Sequence, residues 1–101
     1  MAQPGSFIQI INLTTDRYAE LEELDKNWRE ESAGDSTAQV VTTCRNRNDP
    51  TRYTIVVEFP SYEAAMQNSQ NPKTQQLAEQ MQKLCTSIEF SDLDVISSET
   101  V

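Results

Sequence analysis

The chain has 101 residues, 37% of them hydrophobic, and a net charge of −8, which fits one domain with a modest core. Histidine is absent, so the commonest general base, the commonest metal ligand and the usual proximal haem ligand are missing, and neither a metal nor a cofactor is expected. The charge divides as −5 over residues 1–35, +1 over 36–60 and −4 over 61–101; such a field repels phosphate backbones and anionic membranes, so nucleic acid and membrane are not expected as partners.

No apolar run approaches the roughly 18 residues of a membrane span. The opening Met-Ala-Gln-Pro-Gly-Ser lacks the charged start and apolar centre of an export signal, so a cytoplasmic location is expected. In that setting Cys44 and Cys85, which form no ligand spacing, are expected as free thiols.

In chain order, "SFIQIINL" (6–13) reads as a strand with apolar residues on both faces: Phe7, Ile11 and Leu13 on one, Ile8 and Ile10 on the other. "TTDRYAELEELDKNWREESAG" reads as a helix, capped by Thr15 or Asp16 and stopped at Gly34, with Tyr18, Leu21, Leu24 and Trp28 along one face. "TAQVVTTCR" (37–45) and "RYTIVVEF" (52–59) read as strands joined by the turn "NRNDPT", a β-hairpin with Tyr53, Ile55, Val57 and Phe59 on one face and Val56 on the other.

Phe59 before Pro60 ends that strand in extended geometry. Ser61 can cap a helix whose apolar face holds Tyr62, Ala65 and Met66. Asn71-Pro72 then restarts the helix, asparagine as cap and proline at the first helical position, where its missing N–H costs nothing. Asn68-Ser69-Gln70 weakens the first apolar pattern, Leu77, Ala78, Met81, Leu84 and Cys85 form the second apolar stripe, and the glutamines read mostly as a solvated opposite face. "SIEFSDLDVI" (87–96) is the last strand; Ile88 and Phe90 fall on one parity and Leu93 and Val95 on the other, which predicts a bulge near Ser91-Asp92. The core is expected over about residues 7–95, with both termini frayed.

The order β-α-β-β-α-β is the split βαβ pattern of ferredoxin-like α+β domains: a four-stranded antiparallel sheet with the helices on one face. The other face would carry Ile8, Ile10 and Val56. A contiguous apolar sheet face marks an interaction surface, and packing against an identical partner would cover it. A homodimer is therefore expected.

The stretch "VVEFPSYEAAMQNSQNPKTQQLAEQMQKLC", with the following strand containing Phe90 and "LDV", resembles a family of small, uncharacterised actinobacterial proteins in the dimeric α/β-barrel superfamily, which includes antibiotic-biosynthesis monooxygenases and haem-degrading and stress-response domains. The resemblance runs from Phe7 to Val95. It implies the fold and the dimer, and it brings no catalytic residue with it.

Candidate pocket residues follow from the elements. Trp28 is a core residue or the wall of a pocket between helix and sheet; Tyr18 and Tyr53 are packing residues or line the same pocket, and Met66 fills it or borders it. Arg45, within "CRNRNDPTR", belongs to a solvated turn or to an anion-binding rim. Cys44 is expected to be buried and inert, and the acidic run "ELEELD" (20–25) to be a solvated helix face. Two functions stand side by side: a homodimeric barrel binding a small apolar or aromatic molecule, with cofactor-independent oxygenation as its chemistry, or a non-catalytic interaction module. A dry pocket favours the first and a solid core the second.

Overall fold

Strand β1 (Phe7–Thr14) lies inside the sheet and pairs on both sides, antiparallel to β3 (Arg52–Phe59) and to β4 (Ser87–Asp94). Strand β2 (Val40–Arg45) pairs with β3 at the other edge, giving the order β2-β3-β1-β4. This computed structural model describes residues 4–34 and 36–101; the expectation of a frayed start falls partly on residues 1–3, outside the described residues. At the other end, residues 95–101 have no regular secondary structure. Helix α1 (Tyr18–Glu31) follows β1, and α2 (Tyr62–Gln70) and α3 (Pro72–Leu84) follow β3. The architecture is the ferredoxin-like β-α-β-β-α-β layout, its second helix divided in two.

Cross-strand register sorts the side chains into two faces. Phe7 opposes Phe59, Ile11 opposes Ile55 and Phe90, and Leu13 opposes Tyr53 and Ile88. On this face Phe7, Ile11, Leu13, Tyr53, Val57 and Phe59 join Leu21 of α1, Ala65 of α2 and Met81 of α3 in one buried cluster. The reverse face brings Ile8 opposite Leu93 and Ile10 opposite Val56, with Val40 and Leu93 exposed. The apolar residues on both parities of β1 thus reflect a strand that carries side chains to both faces.

Two expectations are corrected. The β1–β4 register runs without offset from Phe7–Asp94 to Thr14–Ser87, so β4 has no bulge. Its apolar residues alternate because Ile88 and Phe90 face the helices while Leu93 faces the open side. Cys44 is exposed rather than buried: β2 is an edge strand with all six residues exposed, and the parity of Cys44, opposite Thr54, turns it to the side without helices. Both cysteines are free.

The helix boundaries have local causes. Ser61 Oγ accepts from Ala64 N at 3.1 Å and starts α2. Asn71, extended at φ −68° and ψ 125°, ends α2, and its Oδ1 accepts from Lys73 N at 2.9 Å while Pro72 opens α3. Helix α1 starts one residue later than an Asp16 cap implies and two later than a Thr15 cap, with Arg17 at the N-cap and no side-chain cap bond. Thr15, buried, instead accepts from Arg17 N at 3.0 Å and donates to Leu84 O at 2.6 Å. Lys73 Nζ donates to Glu31 O at 2.7 Å. Helices α1 and α3 are therefore tied at both ends, and this pair roofs the site described next.

Candidate ligand cavity between sheet and helices

A cavity of about 90 Å³ lies between the helix-facing side of the sheet and the three helices. Its floor is Gln9 and Ile11 of β1, Val41 of β2, and Ile55 and Val57 of β3; its roof is Leu21, Asp25 and Trp28 of α1, Asn68 of α2, and Thr74, Leu77 and Met81 of α3. The walls are chiefly aliphatic, so the few polar groups stand out. Empty apolar cavities stay dry, and one of about 150 Å³ takes up a benzene ring. A space of this size therefore suits a compact molecule and does not hold a fused-ring one without opening.

Helical spacing explains the roof. Leu21, Asp25 and Trp28 are separated by four and three positions, so all three project from one face of α1. Thr74, Leu77 and Met81 repeat that pattern on α3, and Asn68 lies three residues after buried Ala65 on α2. Ser32, buried, donates from Oγ to Trp28 O at 2.6 Å and fixes the turn carrying the indole. Trp28 is only 9% exposed, yet it stands apart from the contiguous core cluster. It also borders a groove of about 250 Å³ between α1 and α3 and a cleft of about 350 Å³ beneath the α1–β2 connection.

The polar inventory is unusual for an interior. Trp28 Nε1 and Thr74 Oγ1 are sealed from solvent and have no hydrogen-bond partner among the described residues. An unpaired buried donor costs about 1–3 kcal/mol, so two lining one cavity call for explanation. Asn68, buried, accepts at Oδ1 from Ser36 Oγ at 3.4 Å. Gln9 Nε2 donates to Asp92 Oδ1 at 3.3 Å. Asp25 is the ionisable lining residue among the described residues; its Oδ2 lies 2.9 Å from Arg29 Nη2, and its side chain is about one-third exposed.

Of the five pocket residues expected from the sequence, Trp28 lines this cavity. Tyr18 and Tyr53 stack on one another with centroids 4.4 Å apart and planes 9° from parallel. Burial, then the nearby Glu22 carboxylate and Tyr53, raise the Tyr18 phenol above its ordinary range. Tyr53 and Arg45 border a separate cleft of about 410 Å³ at the hairpin end, with Asn12, Asn46, Arg52 and Glu89. Met66 packs against the core cluster. The sequence reading missed Gln9, Asp25, Asn68 and Thr74. The acidic run puts Asp25 on a solvated face and Asn68 falls where the helical pattern weakens, although the spacing from Leu21, Trp28 and Ala65 puts both on inward faces. No group of three or more cysteine or acidic side chains among the described residues could hold a metal ion, and no helix there is long and apolar enough to cross a membrane.

No family model and no curated protein matches the chain. Solved structures do. SnoaB of Streptomyces nogalater, a cofactor-independent oxygenase solved as an asparagine-to-alanine variant, superimposes with a TM-score of 0.81 at 15% identity, over 93% of this chain and 96% of that one. Proposed antibiotic biosynthesis monooxygenases of Caulobacter crescentus and Deinococcus radiodurans give TM-scores of 0.79 and 0.78 at 13% and 12% identity, over 93% and 94% of this chain and 92% and 97% of theirs. The chain has the fold of antibiotic-biosynthesis-monooxygenase-like proteins. At these identities the likeness is one of fold, and activity has to be argued from the cavity.

Proposed function

We propose that the protein is a cytoplasmic homodimer that takes a small, mainly apolar molecule into the cavity beneath Trp28 and oxygenates it without a cofactor. The observation that carries this reading is the cavity itself, an aliphatic space lined by Trp28, Asn68, Thr74 and Asp25, in a fold shared with an oxygenase of that kind. The narrower kinship with a small actinobacterial family, suggested by "EFPSYEAAMQNS", belongs to the same proposal.

The chemistry asks little of the protein. An activated methylene compound and O₂ give a ketone and water: the carbon loses two hydrogens and four electrons, one oxygen atom enters the new carbonyl and the other leaves as water. The substrate is the reductant, so no bound redox group is needed. Asp25, a lining residue of the cavity, is the proposed acceptor of the first proton, and Arg29 beside it pairs with the carboxylate beforehand. The aliphatic walls exclude water from the carbanion that results. Oxygen uptake tests this reaction directly. Incubating the protein with a small activated methylene compound should consume O₂ and yield the ketone, and Asp25→Asn should slow turnover by about 10²-fold or more. Uptake unaffected by Asp25→Asn would remove that residue from the reaction.

The dimer is proposed through the open sheet face, with Ile8, Ile10 and Val56 at its centre and Val40 and Leu93 beside them. Native mass spectrometry should show a dimer. Ile10→Glu or Val56→Glu would bury an unpaired carboxylate in that interface and should give monomer or aggregate; an unchanged dimer from both variants would refute this placement. One observation favours the second reading, a non-catalytic module: the cavity is smaller than one that admits a benzene ring. A clean dimer that retains no small molecule and consumes no oxygen would decide for it.

A further inference from the structure

We infer that Trp28 and Thr74 form a two-donor clamp that makes the cavity selective for a compact carbonyl compound. This rests on the reading of the cavity as a ligand site. An indole Nε1–H can only donate, and a threonine hydroxyl donates as readily as it accepts. Trp28 of α1 and Thr74 of α3 both line one aliphatic cavity, and neither polar atom has a partner among the described residues. A carbonyl oxygen carries two lone pairs and no hydrogen, so one such atom satisfies both donors at once. The hydrocarbon body of the ligand then meets Ile11, Leu21, Val57 and Met81. The volume, about 90 Å³, limits that body to a short chain or small ring. A pure hydrocarbon would leave both donors unpaired.

The chain contains a single tryptophan, so one indole N–H resonance in a ¹H–¹⁵N spectrum reports on the clamp. The probes are cyclobutanone and methylenecyclobutane, which share a shape and differ in whether the exocyclic atom accepts a hydrogen bond. Comparing the ratio of their affinities between protein variants cancels the difference in how water solvates them. Cyclobutanone should move the indole proton downfield and methylenecyclobutane should not. The ketone-to-alkene affinity ratio should fall roughly tenfold in Thr74→Val and be preserved in Thr74→Ser, which keeps the hydroxyl. If both probes bind, shift the indole alike and keep their ratio in Thr74→Val, the clamp is refuted while the cavity remains a ligand site. If neither probe binds the wild-type protein, the clamp and the ligand-site reading fall together.

Discussion

Replacing Thr74 by valine should stabilise the ligand-free protein. The hydroxyl lies in the first turn of α3, sealed from solvent and without a partner among the described residues, so folding strips it of water with no return. Such a group costs about 1–3 kcal/mol. Valine fills nearly the same space, and a buried methyl in place of the hydroxyl contributes up to about 0.8 kcal/mol more. The two residues have nearly equal helix propensity, so no local term offsets the gain. A net increase of about 1–2 kcal/mol is expected, and in a domain of this size each kcal/mol moves the midpoint by about 4–8 °C. Thermal melts followed by circular dichroism, at neutral pH and equal protein concentration, read this directly. A midpoint lowered by several degrees would refute the reasoning, because it would mean that the hydroxyl is already satisfied by water held in the cavity.

Three further outcomes follow from the same geometry. Asn71→Ala removes the Oδ1 acceptor for Lys73 N and should cost about 1 kcal/mol of unfolding free energy in urea; no loss would show that Pro72 alone starts α3. In a Val56→Glu monomer Cys44 should react with a maleimide well before Cys85, since in the single chain it is exposed while Cys85 is half-buried with a thiol that burial pushes up; peptide mapping after brief labelling distinguishes them, and equal labelling would contradict the burial. The raised Tyr18 phenol stabilises the fold fully below the ordinary tyrosine value near 10 and loses that contribution as pH climbs through the folded value. Melts of wild type and Tyr18→Phe should therefore differ in slope above about pH 10, and parallel curves would remove Tyr18 from the alkaline transition.

Much of the fold was legible because each element carried its own punctuation. Ser61 and Asn71-Pro72 marked two helix starts that the hydrogen bonds reproduce, and the parities of β1 and β3 separated two sets of side chains, while apolar residues in both sets left open which one the helices cover. What escaped depended on neighbours. The exposure of Cys44 follows from β2 being an edge strand, a property of strand order that no stretch of β2 encodes. The change of parity along β4 reads as a bulge only if all its apolar side chains reach one core, whereas Leu93 faces the open side. The cavity residues were the least legible: Asp25, Asn68 and Thr74 are ordinary helix-surface types, and their inward faces emerge only when polar residues are counted into the same periodicity as their apolar neighbours.

The break at Asn71-Pro72 has a consequence for the cavity beneath it. Asn68 and Thr74 are six positions apart. In an unbroken α-helix that separation is about 9 Å of rise and about 240° of rotation, which would send the two side chains to widely separated sides of one cylinder. They share a cavity because the chain changes axis between them. The interruption in "MQNSQNPKTQQ" therefore acts as an angular offset, aiming two polar side chains from successive helices at one small volume, and a variant that healed it would leave the fold's layers in place while turning one of those groups away.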